Sequence, residues 1–549
     1  MTIIRSQCYS REYIVSERRC HKFETYINPR CDLNRNGDPC LPCGELAHIE
    51  DQIEELHSRL NDLHTKHRAL CSKRNASHKC LVTKLPYEIA SDILIRVCLH
   101  EIKDLCKGDF DPETTTMPDH LPMTLATVCH RWRELVFSIP KLWSSFSINA
   151  HKPDYSYINR HLRLSGPRSP LFIRLQSRSV LPFEKSIGPM QLVKQNLHRI
   201  AYLCISFSKE YLDVFARVCA DSFPSDAPLL EEFHIHEPRF PHTRKSIPNL
   251  KLCTNPPRPR KVVISRYPLN LVRLDWSYVS QMTCACSLTL DELRDLLSMA
   301  KSLVEFKLFT STESSQPGMM VIHNSIRKLT LTGKVSEVFM HTTMPSLESL
   351  TTSCCDQSLI RFSAFIQQSA CQLTSLDLSC STLPSTTLLI KALEHTPMLQ
   401  ALSLSIDYVD GNQLLHPFLK YLANLNWSQC NSSDTKLAIL LPHLQKFTYS
   451  GGLDIPLGVF LDVMESRRDV MLPSSPYQVQ ALQELVMCIK SQSNCRTRSC
   501  IVTHDDLLRI LDLVRVDRKT ISVSLSGYPY SKTLDLVEAA MKTYRSGER

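Results

Sequence analysis

Two hydrophobic rhythms divide the chain. The first begins at Leu46. Leu46, Ile49, Ile53, Leu56, Leu60, Leu63, His67 and Leu70 follow one another at steps of 3, 4, 3, 4, 3, 4 and 3. A 3.5-residue period held for more than three heptads predicts one long helix from about Glu45 to Cys71. Glu50, Asp51, Glu54, Glu55, Arg59 and Lys66 lie off this seam. The stripe either packs on the chain's own domain or makes Leu46, Ile49, Ile53, Leu56, Leu60 and Leu63 the seam of a two-stranded dimer. Next, Leu85, Ile89, Ile93 and Val97 stand four apart behind Pro86, a residue suited to a first helical turn. A polar stretch follows. Leu125, Val128, Cys129, Trp132, Leu135 and Val136 then predict a second helix that ends before Pro140.

The second rhythm starts near residue 195. An apolar-x-x-apolar-x-apolar unit recurs at Ile200-Leu203-Ile205, Leu230-Phe233-Ile235, Leu271-Leu274-Trp276, Leu303-Phe306-Leu308 and Ile326-Leu329-Leu331. It continues at Leu373-Leu376-Leu378, Leu399-Leu402-Leu404, Leu444-Phe447-Tyr449 and Leu482-Leu485-Met487, with a weaker copy at Leu347 and Leu350. The steps between first positions are 30, 41, 32, 23, 21, 26, 26, 45 and 38. The middle steps fit a leucine-rich repeat, and the longer ones require insertions. Leu288–Leu297 and Ser385–Leu393 read as helices, each leading into an alternating strand. A strand–turn–helix unit cannot bury its face alone, so such units stack into a parallel-strand solenoid. The asparagine turn of strict leucine-rich repeats is missing, so the array is a degenerate one; an ordinary α/β domain is the other reading. The expected fold is thus α+β or α/β repeat: long helix, small helical module, leucine-rich-repeat-like solenoid.

Composition narrows the function. The chain has 549 residues and 43% apolar content, enough for a sizeable core. Only 13 glycines occur, and neither a dinucleotide fingerprint nor a P-loop is present. The net charge of +9 is mild for this length and no run of five like charges exists, so no nucleic-acid partner is expected. No 18-residue apolar stretch, signal peptide or prenylation cysteine is read, so no membrane is expected. The 23 cysteines are odd in number and scattered, which points to reduced thiols in the cytoplasm, the nucleus or both.

Catalytic and metal motifs are likewise missing. No zincin, hydrolase-elbow, EF-hand or kinase set is found, and the 21 histidines are dispersed. Cys129-His130 cannot serve as nucleophile and base if both sit in one helix, because adjacent positions point about 100° apart. Cys40-Leu41-Pro42-Cys43 has the spacing for two zinc thiolates, with Cys20, His21 and Cys31 upstream, but a second pair at the usual distance is lacking. A reduced, disordered tail over residues 1–44 is the reading, with no metal and no cofactor. The Cys284/Cys286 and Cys354/Cys355 pairs read as buried or half-buried thiols. Asn255–Arg260 reads as an exposed stiff loop, and Asn424–Lys436 and Ser466–Tyr477 as protruding loops.

The helical module carries a resemblance. Leu85-Pro86-Tyr87-Glu88-Ile89, then Val128-Cys129-His130-Arg131-Trp132-Arg133, then Pro140-Lys141-Leu142-Trp143-Ser144-Ser145 resemble an F-box. In particular they are similar to the F-box-like proteins abundant in mushroom-forming fungi, which often place a heptad helix before the box. After the box such proteins often carry segments like His161–Gly166 and Pro170–Leu175. The match runs in order from residue 45 to about 176. The implied organisation is a tail (1–44), heptad helix (45–80), F-box-like module (81–147), connecting segment (148–195) and solenoid (196–540). The departure is an insert, residues 100–123, where many F-boxes have a short link; ordered residues there would crowd the docking face.

The resemblance implies a non-enzymatic subunit of a Skp–cullin–F-box ubiquitin ligase. Leu85, Pro86, Ile89, Ile93, Val128, Cys129 and Trp132 would meet a Skp-type adaptor, and through it a cullin scaffold. Trp143 would close the module, and the solenoid would hold an unknown protein substrate. The other reading is a non-ligase scaffold whose F-box-like helices only cap the solenoid.

Overall fold

The computed structural model describes residues 41–535 apart from 78–84, 108–120, 151–152, 178–186, 208, 221–226, 237–249, 251–254, 287, 310–311, 314–319, 334–335, 355, 381–384, 407–411, 424–439, 452–456, 468–479, 492–503, 516–519 and 528–529. The N-terminal cysteines, most of the 100–123 insert and the two expected protruding loops at 424–436 and 466–477 lie wholly or largely outside the described residues. The chain divides into two units, Met1–Ala90 with Ala126–Glu134, and Ser91–Leu125 with Leu135–Arg549. The stretch 81–147, expected as one module, is shared between them. Among the described residues no helix is long and apolar enough to cross a membrane.

The heptad period does form one helix, α1, Leu41–Ser77, longer at its start than the sequence suggests. Helix α2 spans Tyr87–Lys107, so the first part of the expected insert is helical. The expected second helix is two: α3, Leu121–Ala126, and α4, His130–Ser138. The break lies at 127–129. There Cys129 acts as the cap of α4: its Sγ accepts the backbone N–H of Trp132 at 3.5 Å. A short helix, α5, Pro140–Trp143, begins on a proline and leads straight into the sheet.

Mixed α/β architecture with a large parallel sheet dominates the second unit. Among the described residues the sheet has fifteen strands. They are β1 Ser145–Asn149, β2 Leu171–Gln176, β3 Ile200–Ser206, β4 Glu232–His236, β5 Lys261–Ser265, β6 Gln281–Ala285, β7 Glu305–Phe309 and β8 Lys328–Thr332. There follow β9 Ser349–Cys354, β10 Ser375–Cys380, β11 Ala401–Ile406, β12 Lys446–Gly451, β13 Glu484–Ser491, β14 Thr520–Gly527 and β15 Tyr530–Asp535. Each strand pairs with the next in chain order, all parallel until β15 turns back antiparallel on β14.

Register explains why the recurring unit works. Its last two apolar positions stand two apart, so both face the core, and in most strands a polar residue lies between them. Phe306, Leu329, Leu350, Leu376, Leu402 and Phe447 are successive partners across six strands, and all are buried. A parallel neighbour needs a crossover, and most crossovers here carry a helix. Leu290–Met299 shows the local logic: Thr289 caps it with a capping box through Glu292, and Leu293, Leu296 and Leu297 join the strand residues in the core.

Several expectations are corrected. The segment 148–195 is more than a connection, because it completes β1 and contains β2; the sheet starts at Ser145, before residue 196. Leu271-Leu274-Trp276 is not a strand. Leu269–Leu271 and Trp276–Tyr278 are single 3-10 turns, set by Pro268 before the first and by Asp275, whose carboxylate accepts the Ser277 N–H, at the second. The strands of that interval are β5 and β6. Asn255–Arg260 is also less exposed than expected. Pro257 and Pro259 are buried, and Arg258 pairs with Asp275 at 3.2 Å while lying over the Tyr278 ring.

Candidate partner-binding surface

Helix α2 starts cleanly. The N–H of Ala90 donates to the Pro86 carbonyl at 3.0 Å, and Glu88 stands in the first turn, where the helix dipole favours an acid. One face of α2 is closed: Ala90, Leu94 and Cys98 are buried. The other is open. Ile89, Ile93 and Val97 are 50%, 45% and 44% exposed at four-residue intervals, and Leu85, Pro86 and Tyr87 at its mouth are exposed too. A continuous apolar ridge on a helix is the form in which groove-binding helices present their anchors.

The remaining nominated residues separate by burial. Val128, in the break before α4, is exposed, while Cys129 and Trp132 are half-buried. Trp143 is fully buried. Its Nε1 donates to the Val136 carbonyl at 2.9 Å, its ring stacks on Phe137, and its own carbonyl lies 3.0 Å from Nδ1 of His161. Tyr87 and Phe137 are exposed large side chains that the motif did not nominate. Cys129 and His130 do not act as a pair: the thiol is engaged with the Trp132 N–H, while His130 Nδ1 lies 3.5 Å from Glu134.

The seam of α1 is open as well. Leu46, Ile49, Ile53, Leu56, Leu60, Leu63 and Leu70 are between 47% and 64% exposed. In the second unit the sheet offers a third surface, the face away from the core. Thr351, Asp377, Ser403 and Thr448 form one row across β9–β12, and Ser353, Ser379, Ser405 and Ser450 form the next. These small hydroxyl side chains make a low, hydrogen-bonding floor, with one carboxylate at its centre.

Nearer the start of the sheet the same face is buried. Arg174, Cys204 and His234 are neighbours across β2, β3 and β4, with His236 two residues along. Burial pushes His236 down to about 3, helped by His234 and the Arg174 charge, and burial lowers His234 too. Glu232 is held at about 2, first by the His234 imidazole, whose Nε2 lies 3.5 Å away, and further by the Lys261 ammonium at 3.0 Å. Cys204, His234 and His236 offer a sulfur and two nitrogens within 4.8 Å of one another, a donor set of the kind zinc takes. Two features weigh against an ion. Nδ1 of His234 lies 3.4 Å from the Tyr202 hydroxyl and Nε2 lies 3.5 Å from Glu232, and a divalent charge would sit beside Arg174. Edge-on packing of His234 against Tyr202 and His236 describes the cluster as a neutral aromatic core.

Comparison of the chain with protein-family models gives no match, and comparison with curated proteins gives none either.

Proposed function

We propose that the chain is the substrate-recognition subunit of a Skp–cullin–F-box ubiquitin ligase. Residues 81–147 would be an F-box-like module that docks on a Skp-type adaptor. The sheet and its helices would be a degenerate leucine-rich-repeat-like solenoid whose open strand face holds a target protein. The subunit would perform no covalent chemistry. Its catalytic contribution would be proximity, holding a target near the conjugating enzyme carried by the cullin. The cytoplasm and nucleus suit such a role.

The observation that carries this reading is the exposed ridge of α2. Ile89, Ile93 and Val97 expose large apolar side chains on one face of α2, with Leu85 exposed just before its start, while Ala90, Leu94 and Cys98 bury the other face. A helix gains nothing from leaving such a ridge in water unless a partner covers it. The strand order supports the second half of the proposal. Sequential parallel strands in one register, joined by crossovers, are what stacked repeats produce.

Co-purification with the organism's own Skp-type adaptor tests the first half. Wild type should bind. Leu85→Ala/Pro86→Ala and, separately, Ile93→Asp should lose binding with unchanged circular dichroism, because all three residues are exposed. Well-folded wild type that fails to bind sinks the ligase reading. One observation favours the scaffold alternative. Trp143, the closing residue of the F-box match, stands three residues before Phe146, so it fills the first position of the strand unit Trp143-Phe146-Ile148. The helices before it would then serve as the terminal cap that a repeat array requires.

A further inference from the structure

We propose that α1 pairs with α1 of a second copy of this chain, and that the two helices run antiparallel. The seam is the first ground. Seven apolar residues at heptad positions are each about half exposed or more, with His67 the single polar member. From Leu46 to Leu70 the seam is about 36 Å long at 1.5 Å per residue. A helix of this length has no other use for a 3.5-residue stripe than to bury it.

Charge decides the partner and its direction. Residues 41–58 hold five acids, Glu45, Glu50, Asp51, Glu54 and Glu55, and no lysine or arginine. Residues 59–77 hold five basic residues, Arg59, Lys66, Arg68, Lys73 and Arg74, against Asp62 alone. The helix dipole does not account for this division, since the first turn carries no acid and dipole effects fade within a turn. Within one helix the pattern is costly, because Glu50 and Glu54, and Asp51 and Glu55, are like charges four apart. A second copy laid parallel would set acids on acids and bases on bases. Laid antiparallel, the acidic half of each copy meets the basic half of the other.

Side-chain registry agrees. Centring the two copies on residue 58 pairs Leu46 with Leu70, Ile53 with Leu63 and Leu56 with Leu60, and sets each His67 against Ile49 rather than another His67. Flanking the seam, Glu45 comes within two residues of Lys73. A parallel pair would put Glu45 beside Glu50 of the other copy.

Sedimentation equilibrium of the full chain, at concentrations up to tens of micromolar, tests the proposal. Wild type should dimerise, and raising salt from 0.05 to 0.5 M should weaken the dimer about three- to tenfold by screening the attraction. Leu56→Asp/Leu60→Asp should be monomeric. Arg59→Glu/Lys66→Glu/Arg68→Glu leaves Lys73 and Arg74 as the basic residues of a mostly acidic helix and should be monomeric, while mixing it with Glu45→Lys/Glu50→Lys/Glu54→Lys should restore a heterodimer. These positions are exposed, so circular dichroism should not change. A monomeric wild type would mean that the chain's own residues cover the seam, and a dimeric Leu56/Leu60 variant would place the contact elsewhere. An Arg59/Lys66/Arg68 variant that dimerises as well as wild type would mean a parallel pair. Each of these results overturns the proposal.

Discussion

His236 shows what a buried imidazole does to the stability of the sheet. Its ordinary value is 6.5, and burial with the neighbouring His234 and Arg174 brings it to about 3 in the folded chain. The unfolded chain therefore binds a proton that the folded chain refuses at any pH between these values. Stability from this residue is complete above 6.5 and is lost as pH falls toward 3, at about 1.4 kcal/mol per pH unit. Glu232, held near about 2 against an ordinary 4.5, adds loss of the same sign below 4.5. His236→Gln removes one titrating group, so the fall in melting temperature between pH 7 and pH 5 should become shallower than in wild type. An unchanged slope would assign the acid sensitivity to other groups, among them His323, also lowered by burial.

Individual elements rest on local devices that the sequence exposes unevenly. The Leu290–Met299 helix has a capping box in which Thr289 Oγ1 accepts the Glu292 N–H at 3.2 Å and Glu292 receives the Thr289 N–H at 3.0 Å. Thr289→Ala should cost about 1 kcal/mol in a denaturant titration, and Thr289→Ser should recover most of it. A loss under about 0.3 kcal/mol would show that packing of Leu293, Leu296 and Leu297 alone holds the helix. Here the Leu-rich face predicted the element and the cap refined it. Strands were legible where leucine, isoleucine or phenylalanine filled the recurring unit. They were missed where other residues filled the same slots: Trp143-Phe146-Ile148 for β1, Pro259-Val262-Ile264 for β5 and Val279-Met282-Cys284 for β6. All three spell the unit, because a core slot accepts any side chain of suitable volume. Leu271-Leu274-Trp276 spells it as well, yet turn chemistry at Pro268 and Asp275 wins there. The α1 and α2 stripes were readable as stripes. Their exposure was not, because periodicity does not say what a face meets.

Across the molecule, sheet order equals chain order, and this makes the second unit's contacts short in sequence. Each inner strand takes its ladder from two neighbours, while among the described residues β1 at the edge has β2 alone, with Phe146 paired to Ile173. A lesion at this end therefore removes support from β2 and β3 without touching any pair in β10–β12. Local opening follows such contact maps, with contiguous groups of elements exchanging together. Phe146→Ala deletes a fully buried ring and should cost about 3–5 kcal/mol within its own neighbourhood. Hydrogen exchange read by mass spectrometry should then rise across residues 145–206 and stay at wild-type levels across residues 375–451. An equal rise in both stretches would mean that the sheet opens as one cooperative body. The reading of these strands as separable repeats would then fail, because stacked units coupled only to their neighbours lose structure from the damaged end first.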